Sequence, residues 1–195
     1  MVVMAPFAVV LNSVVFRPFG LHAYADGRHL RACKTAKALG WHMVHAPANL
    51  ADPASGVGIA IRDNSPRVTL LPDTAETLID GRCLRVKGII DTKEIKLASI
   101  YLSATPAERA TQIDILRDSP LGRDQDSLIG GDFNCVEDVE IDTKSDEDKS
   151  TYGNAHGLRW RTAINTMGYI DAHRLVNGFT CSGFTRLSGT THTHA

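Results

Sequence analysis

Apolar and polar positions alternate along this chain in short runs whose period changes several times. Leu30, Cys33 and Ala36 lie three apart and Gly40 follows as a stop, which predicts a helix over 28–39. Short apolar runs then predict strands at Trp41–His45, Gly56–Ile61 and Arg67–Leu71. In 83–90, Leu84, Val86 and Ile90 share one face. Asp91-Thr92-Lys93 is a polar turn, after which Ile95, Leu97, Ser99 and Tyr101 alternate with Lys96, Ala98, Ile100 and Leu102. Two alternating runs joined in this way predict an antiparallel hairpin. Its second strand, 94–102, carries apolar residues on both faces and is expected to be buried on both sides.

The second half of the chain returns to helical spacing. Thr105-Pro106-Ala107-Glu108 predicts a helix start, with Thr105 as N-cap, Pro106 in the first turn and Glu108 reaching back as in a capping box. That helix runs to about Arg117. Ser127-Leu128-Ile129 predicts a short buried strand, and 135–154 a long polar, acidic loop. Trp160, Ala163, Ile164 and Met167 give residues 155–167 the clearest helical face, and 178–185 predicts a last strand. Helices interspersed with consecutive strands predict an α+β or α/β pattern with antiparallel sheet content, which two sheets packed face to face with outer helices, an α+β fold of the α/β sandwich kind, would satisfy.

Composition narrows this picture only a little. The chain has 195 residues, 43% of them hydrophobic, enough for one buried core and one domain. Its 21 Lys and Arg nearly balance 22 Asp and Glu, so binding to nucleic acid needs a local basic face, not a global excess. Cys33, Cys83, Cys135 and Cys181 are scattered, without zinc-ligand spacing or a disulfide framework, and read as reduced thiols of an intracellular protein. Met1–Phe16 is apolar but broken by Pro6 and Asn12; it is too short to cross a bilayer and lacks a basic start. It reads either as a buried strand or as an extension foreign to the fold.

The candidate chemistry centres on Gly130-Gly131-Asp132-Phe133-Asn134. In an extended segment Asp132 and Asn134 would share a face, with Phe133 opposite. A carboxylate can orient or deprotonate a water, and an amide beside it can hold a phosphate oxygen or fix the carboxylate. Gly, Asp and Asn are also ordinary turn residues, and these five alone leave turn and site equally open. Arg159, Arg161 and Arg186 are candidate phosphate contacts, although a solvent-facing surface explains the first two equally well. The acidic run Asp142–Lys149 reads as a solvated loop. His192 and His194 read as a polar tail, and His22, His29, His42 and His45 are scattered.

In context, Gly131-Asp132-Phe133-Asn134 resembles the Gly-Asp-Phe-Asn pattern of the endonuclease/exonuclease/phosphatase superfamily. Ser55–Ile61 looks like that family's glycine-bearing strand. Ala98–Leu102 followed by Pro106–Arg109 looks like its strand ending in an active-site Tyr and the helix after it. Leu158–Arg174 resembles its later helix and Gly-x-x-Asp segment, and Phe184–Thr191 a run found in LINE-type retrotransposon endonucleases. The resemblance covers most of residues 21–193 and leaves residues 1–20 as an N-terminal extension, with 21–195 a partial domain. It implies a four-layer sandwich: two mixed sheets packed face to face between outer helices, with the first and last strands missing. It also implies hydrolysis of a DNA phosphodiester with Mg²⁺ or Mn²⁺, no membrane association, and a nuclear setting if the chain is retrotransposon-like. Under it Asp132 would orient the attacking water, Asn134 would place the phosphate, and Tyr101 would contact it. Ala23 stands where the family carries its metal-binding Glu, and alanine cannot bind a hard cation. The family's C-terminal Ser-Asp-His, with its phosphate-facing His, is expected to be absent from this chain. A catalytically inactive remnant, at most a weak nucleic-acid-binding module, is the alternative.

Overall fold

The computed structural model describes residues 2–4, 14–18, 34–47, 55–63, 65–123, 126–136, 138, 142 and 154–178. The strands are β1 (Val2–Met4), β2 (Val14–Pro18), β3 (Trp41–Ala46), β4 (Val57–Arg62), β5 (Val68–Ile79), β6 (Cys83–Ile90), β7 (Lys93–Tyr101), β8 (Ser127–Asp132) and β9 (Ile170–Asp171). Helix α1 spans Pro106–Asp118, α2 Asn154–Thr166 and α3 Ala172–Asn177. Residues 34–38 are also helical, the described part of the helix predicted over 28–39. A six-stranded sheet runs β5-β6-β7-β8-β1-β9, and a three-stranded sheet runs β2-β4-β3.

The central strands explain the layers. Along β7, Leu97 packs toward the three-stranded sheet while Ala98 and Ile100 pack toward the helices. Leu84 and Cys83 on β6, and Leu128 and Ile129 on β8, divide in the same way. Double burial is therefore what the mixed apolar pattern of 94–102 meant. One core lies between the two sheets, built on Val57, Ile59, Val86 and Leu97. The other lies between the large sheet and the helices, built on Ile100, Ile113, Trp160 and Ile164. The predicted face of α2 is buried throughout, from Trp160 at 0% exposure to Met167 at 6%. The result is the expected α+β sandwich of two sheets with outer helices.

β1 lies between β8 and β9, and β2 pairs with β4, so strands from within residues 1–20 contribute to both sheets. Two sequence expectations need correction. The third predicted strand, Arg67–Leu71, continues to Ile79, because an edge strand with both faces largely exposed shows no alternation to read. The capping box at α1 does not form: Thr105 makes no side-chain cap bond. Glu108 instead accepts the Ser103 hydroxyl at 2.6 Å, and Ser103 Oγ accepts the Thr105 N–H at 3.0 Å. The predicted strand 178–185, Ala23, Arg186, His192 and His194 lie outside the described residues.

Candidate active site

The site is built at the C-terminal ends of β7 and β8. These strands are parallel and in register from Lys96↔Ser127 to Tyr101↔Asp132, so a phenol and a carboxylate end side by side. Gly131 makes that approach possible. Its φ is +146°, and a Cβ there would lie 1.8 Å from the Ile100 carbonyl oxygen. Any side chain would force the two strands apart at their functional end.

Beyond Asp132 the chain turns. Asp132 Oδ1 accepts the Asn134 N–H at 3.0 Å, and Asn134 takes φ +47°, a left-handed conformation that Asn tolerates better than most residues. The Asn134 amide donates from Nδ2 to the Leu102 carbonyl at 2.7 Å, and the Leu102 N–H donates to the Asp132 carbonyl at 2.9 Å. Turn and site are therefore one object: the motif folds as an Asx turn that stitches the end of β8 to the end of β7. Strand alternation is not what relates Asp132 to Asn134, because the strand ends at Asp132. Phe133 is buried and stacks on Trp160 with ring centroids 4.5 Å apart, which anchors the turn in the helix-side core. Asp132 itself is exposed and Asn134 half-buried.

Arg82 is a site residue that the sequence reading missed. It lies in the turn between β5 and β6, and its guanidinium carbon sits 4.6 Å from the Tyr101 ring centroid. The Tyr101 N–H donates to the Arg82 carbonyl at 2.8 Å, and the Gly56 N–H donates to the Gly81 carbonyl at 2.6 Å. The turn thus joins the start of β4 in one sheet to the end of β7 in the other. The only local signal was a Gly81-Arg82 pair after a strand, which is too common to single out.

Two of the other candidates are paired within the chain. Arg159 pairs with Asp114, and Arg161 with Asp138 at 2.9 Å. Asp142, expected on a solvated loop, is instead largely buried against Arg174 at 2.5 Å, and its carboxylate also accepts the Asp138 N–H. β9 is parallel to β8, since both run antiparallel to β1, so Asp171 ends at the same sheet edge as Asp132. Asp171 accepts the Arg174 N–H at 3.3 Å. Cys135, next to the motif, is a free thiol. Burial pushes it up to about 12, the Arg109 charge acting against that rise and Asp132 adding to it.

A divalent metal of the Mg²⁺ type takes oxygen ligands, usually one or two carboxylates plus water and substrate phosphate. Among the described residues no three His, Cys, Asp or Glu side chains cluster closely enough to hold a metal. Asp132 offers one exposed carboxylate, with one oxygen accepting the Asn134 N–H. The described residues alone do not fit a complete metal site.

The fold is shared with an AP endonuclease of known structure. Among solved structures the chain is similar to the AP endonuclease LMAP of Leishmania major, at 16% identity, covering 89% of this chain and 74% of that one with a TM-score of 0.55. More distant are the endonuclease domain of TRAS1, a telomere-specific non-LTR retrotransposon (19% identity, 80% and 71% covered, TM-score 0.49), and humanized D. rerio TDP2 (19%, 72% and 53%, 0.45). The chain thus spans about half the length of TDP2. At these identities the likeness is one of fold. No family model matches the chain, and no curated protein matches it at a significant level. Among the described residues no helix is long and apolar enough to cross a membrane.

Proposed function

We propose that this domain handles a nucleic-acid phosphodiester at the joined ends of β7 and β8, as a hydrolase that nicks DNA. The observation that carries this reading is the Tyr101↔Asp132 register, held by Gly131 and by the Asn134–Leu102 bond. In it, exposed Asp132 orients the attacking water, and Tyr101, with Arg82 against its ring, faces the phosphate. Asn134 holds the turn that aims Asp132. Similarity in fold to an AP endonuclease supports the substrate class, and the retrotransposon-type resemblance supports DNA and a nuclear setting.

A second reading has its own support. With no cluster of metal-binding side chains among the described residues, and Ala23 in place of the family's Glu, the domain would bind nucleic acid without cutting it. Incubation of the full chain with supercoiled plasmid, with and without Mg²⁺ or Mn²⁺, separates the two. Metal-dependent nicking abolished by Asp132→Ala supports the hydrolase. Oligonucleotide binding without nicking supports the binding module. Absence of both, or nicking that survives Asp132→Ala, overturns the assignment of the site.

A further inference from the structure

Arg109, on the first turn of α1, is only 3% exposed. Its Nη1 donates to two successive carbonyls, Ser103 at 3.0 Å and Ala104 at 3.1 Å, and its buried Nε has no partner. Among the described residues it has no carboxylate partner. The nearest acid on its own helix, Glu108, is taken by the Ser103 hydroxyl. A buried guanidinium left in this condition costs stability, since carbonyl dipoles replace only part of its hydration. An apolar side chain would fill the same place more cheaply if packing were all that mattered.

Its position suggests what the charge is for. Ser103 and Ala104 follow directly on Tyr101 and Leu102, and Leu102 is bonded through both its N–H and its carbonyl to the Asp132–Asn134 turn. The Ser103 N–H is also held by α1, through Gln112 Oε1 at 2.7 Å. Arg109 therefore holds the two residues that directly follow the segment bonded to the turn that carries the site.

We infer that Arg109 is a positioning residue: through the Ser103 and Ala104 carbonyls it sets the β7 exit against the Asp132–Asn134 turn, and its charge, which has no carboxylate partner among the described residues, favours an anionic phosphate at that edge. This rests on the phosphodiester reading of the site. The test uses the full chain with Arg109→Met, which keeps the bulk and removes the charge, and Arg109→Lys, which keeps the charge. Folding is followed by circular dichroism and thermal melting. Affinity for inorganic phosphate and for a short single-stranded oligonucleotide is measured at low and high salt. The expected result is that folded Arg109→Met binds both probes on the order of tenfold more weakly at low salt, with the gap narrowing at high salt. Arg109→Lys should recover most of the affinity. Equal affinity in wild type and folded Arg109→Met overturns this inference while leaving the phosphodiester reading intact. Loss of the fold in both variants assigns Arg109 to stability alone and also overturns it. Failure of the wild type to bind either probe overturns the phosphodiester reading and this inference with it.

Discussion

Two seams of the same sheet are built on opposite terms. β7 and β8 meet in unbroken parallel register over Lys96↔Ser127 to Tyr101↔Asp132. β5 and β6 are antiparallel, and their register slips between Leu71 and Glu76 and again between Thr77 and Ile79. The first seam is central and buried on both faces, so every slip would move apolar side chains out of a core. The second lies at the sheet edge, where Pro72 can sit because its missing N–H is tolerated there. The break is patched by a side chain: Thr74 Oγ1 accepts the Lys87 N–H at 2.8 Å and donates to the Leu71 carbonyl at 2.6 Å. Irregularity is absorbed at the edge, and the strand ends that carry the site are left no freedom to shift.

If that contrast holds, damage should scale with closeness to the rigid seam. Gly131→Ala should have the largest effect, a loss of more than about 3 kcal/mol or failure to fold, because its Cβ collides with the Ile100 backbone and not with a movable side chain. A urea melt near wild type would show that β7 and β8 can part without penalty. Asn134→Ala should cost about 2 kcal/mol, combining loss of the bond to Leu102 with left-handed strain. Asn134→Gly should recover about half of this, since it relieves the strain but not the bond; equal melts for the two variants would remove strain from the account. At the edge, Thr74→Val should cost about 1 kcal/mol, by leaving the half-buried Lys87 N–H without its partner. A larger loss than that of Asn134→Ala would reverse the proposed ranking.

The smallest effect belongs to the hairpin tip. Arg67 and Asp91 form an exposed bidentate pair at 2.7 Å. The hydrogen bonds from Arg67 hold the Asp91 carboxyl below its ordinary value. A carboxyl lowered in the folded state contributes stability above its unfolded value and loses it as pH falls through the folded one. Arg67→Gln should therefore move the melting temperature slightly at neutral pH and not at all at strongly acid pH. A difference between the two proteins that grows on acidification would contradict this origin.

Much of the fold could be read from local pattern. The double burial of β7 and the face of α2 were legible because period and apolar content are properties of a few consecutive residues. The β6–β7 hairpin was legible for the same reason, with Asp91 taking the left-handed conformation at φ +55° that its turn requires. The length of β5 was not, since an exposed edge carries no pattern and its strand character comes from its neighbour β6. The capping of α1 differs from the local pattern because Ser103, which lies before the Thr105–Glu108 stretch, takes Glu108. A strand was one of two readings of Met1–Phe16; the place of Val2–Met4 between β8 and β9 is a matter of which strands have open edges.

For the site, the sequence by itself determined that a carboxylate, an amide and two glycines would follow a buried strand, and that Tyr101 would end another. Tertiary structure decided that the two strands are adjacent, parallel and in register, which brings Tyr101 level with Asp132 across 31 positions of sequence. It also decided that Arg82 lies over Tyr101 and that Arg109 is buried against the Ser103 and Ala104 carbonyls, with no carboxylate partner among the described residues. The division has a physical cause. Strand and helix signals arise from contacts between near neighbours in the chain, whereas a site is a meeting of strand ends. Which ends meet is set by sheet order and by the collective burial of two cores.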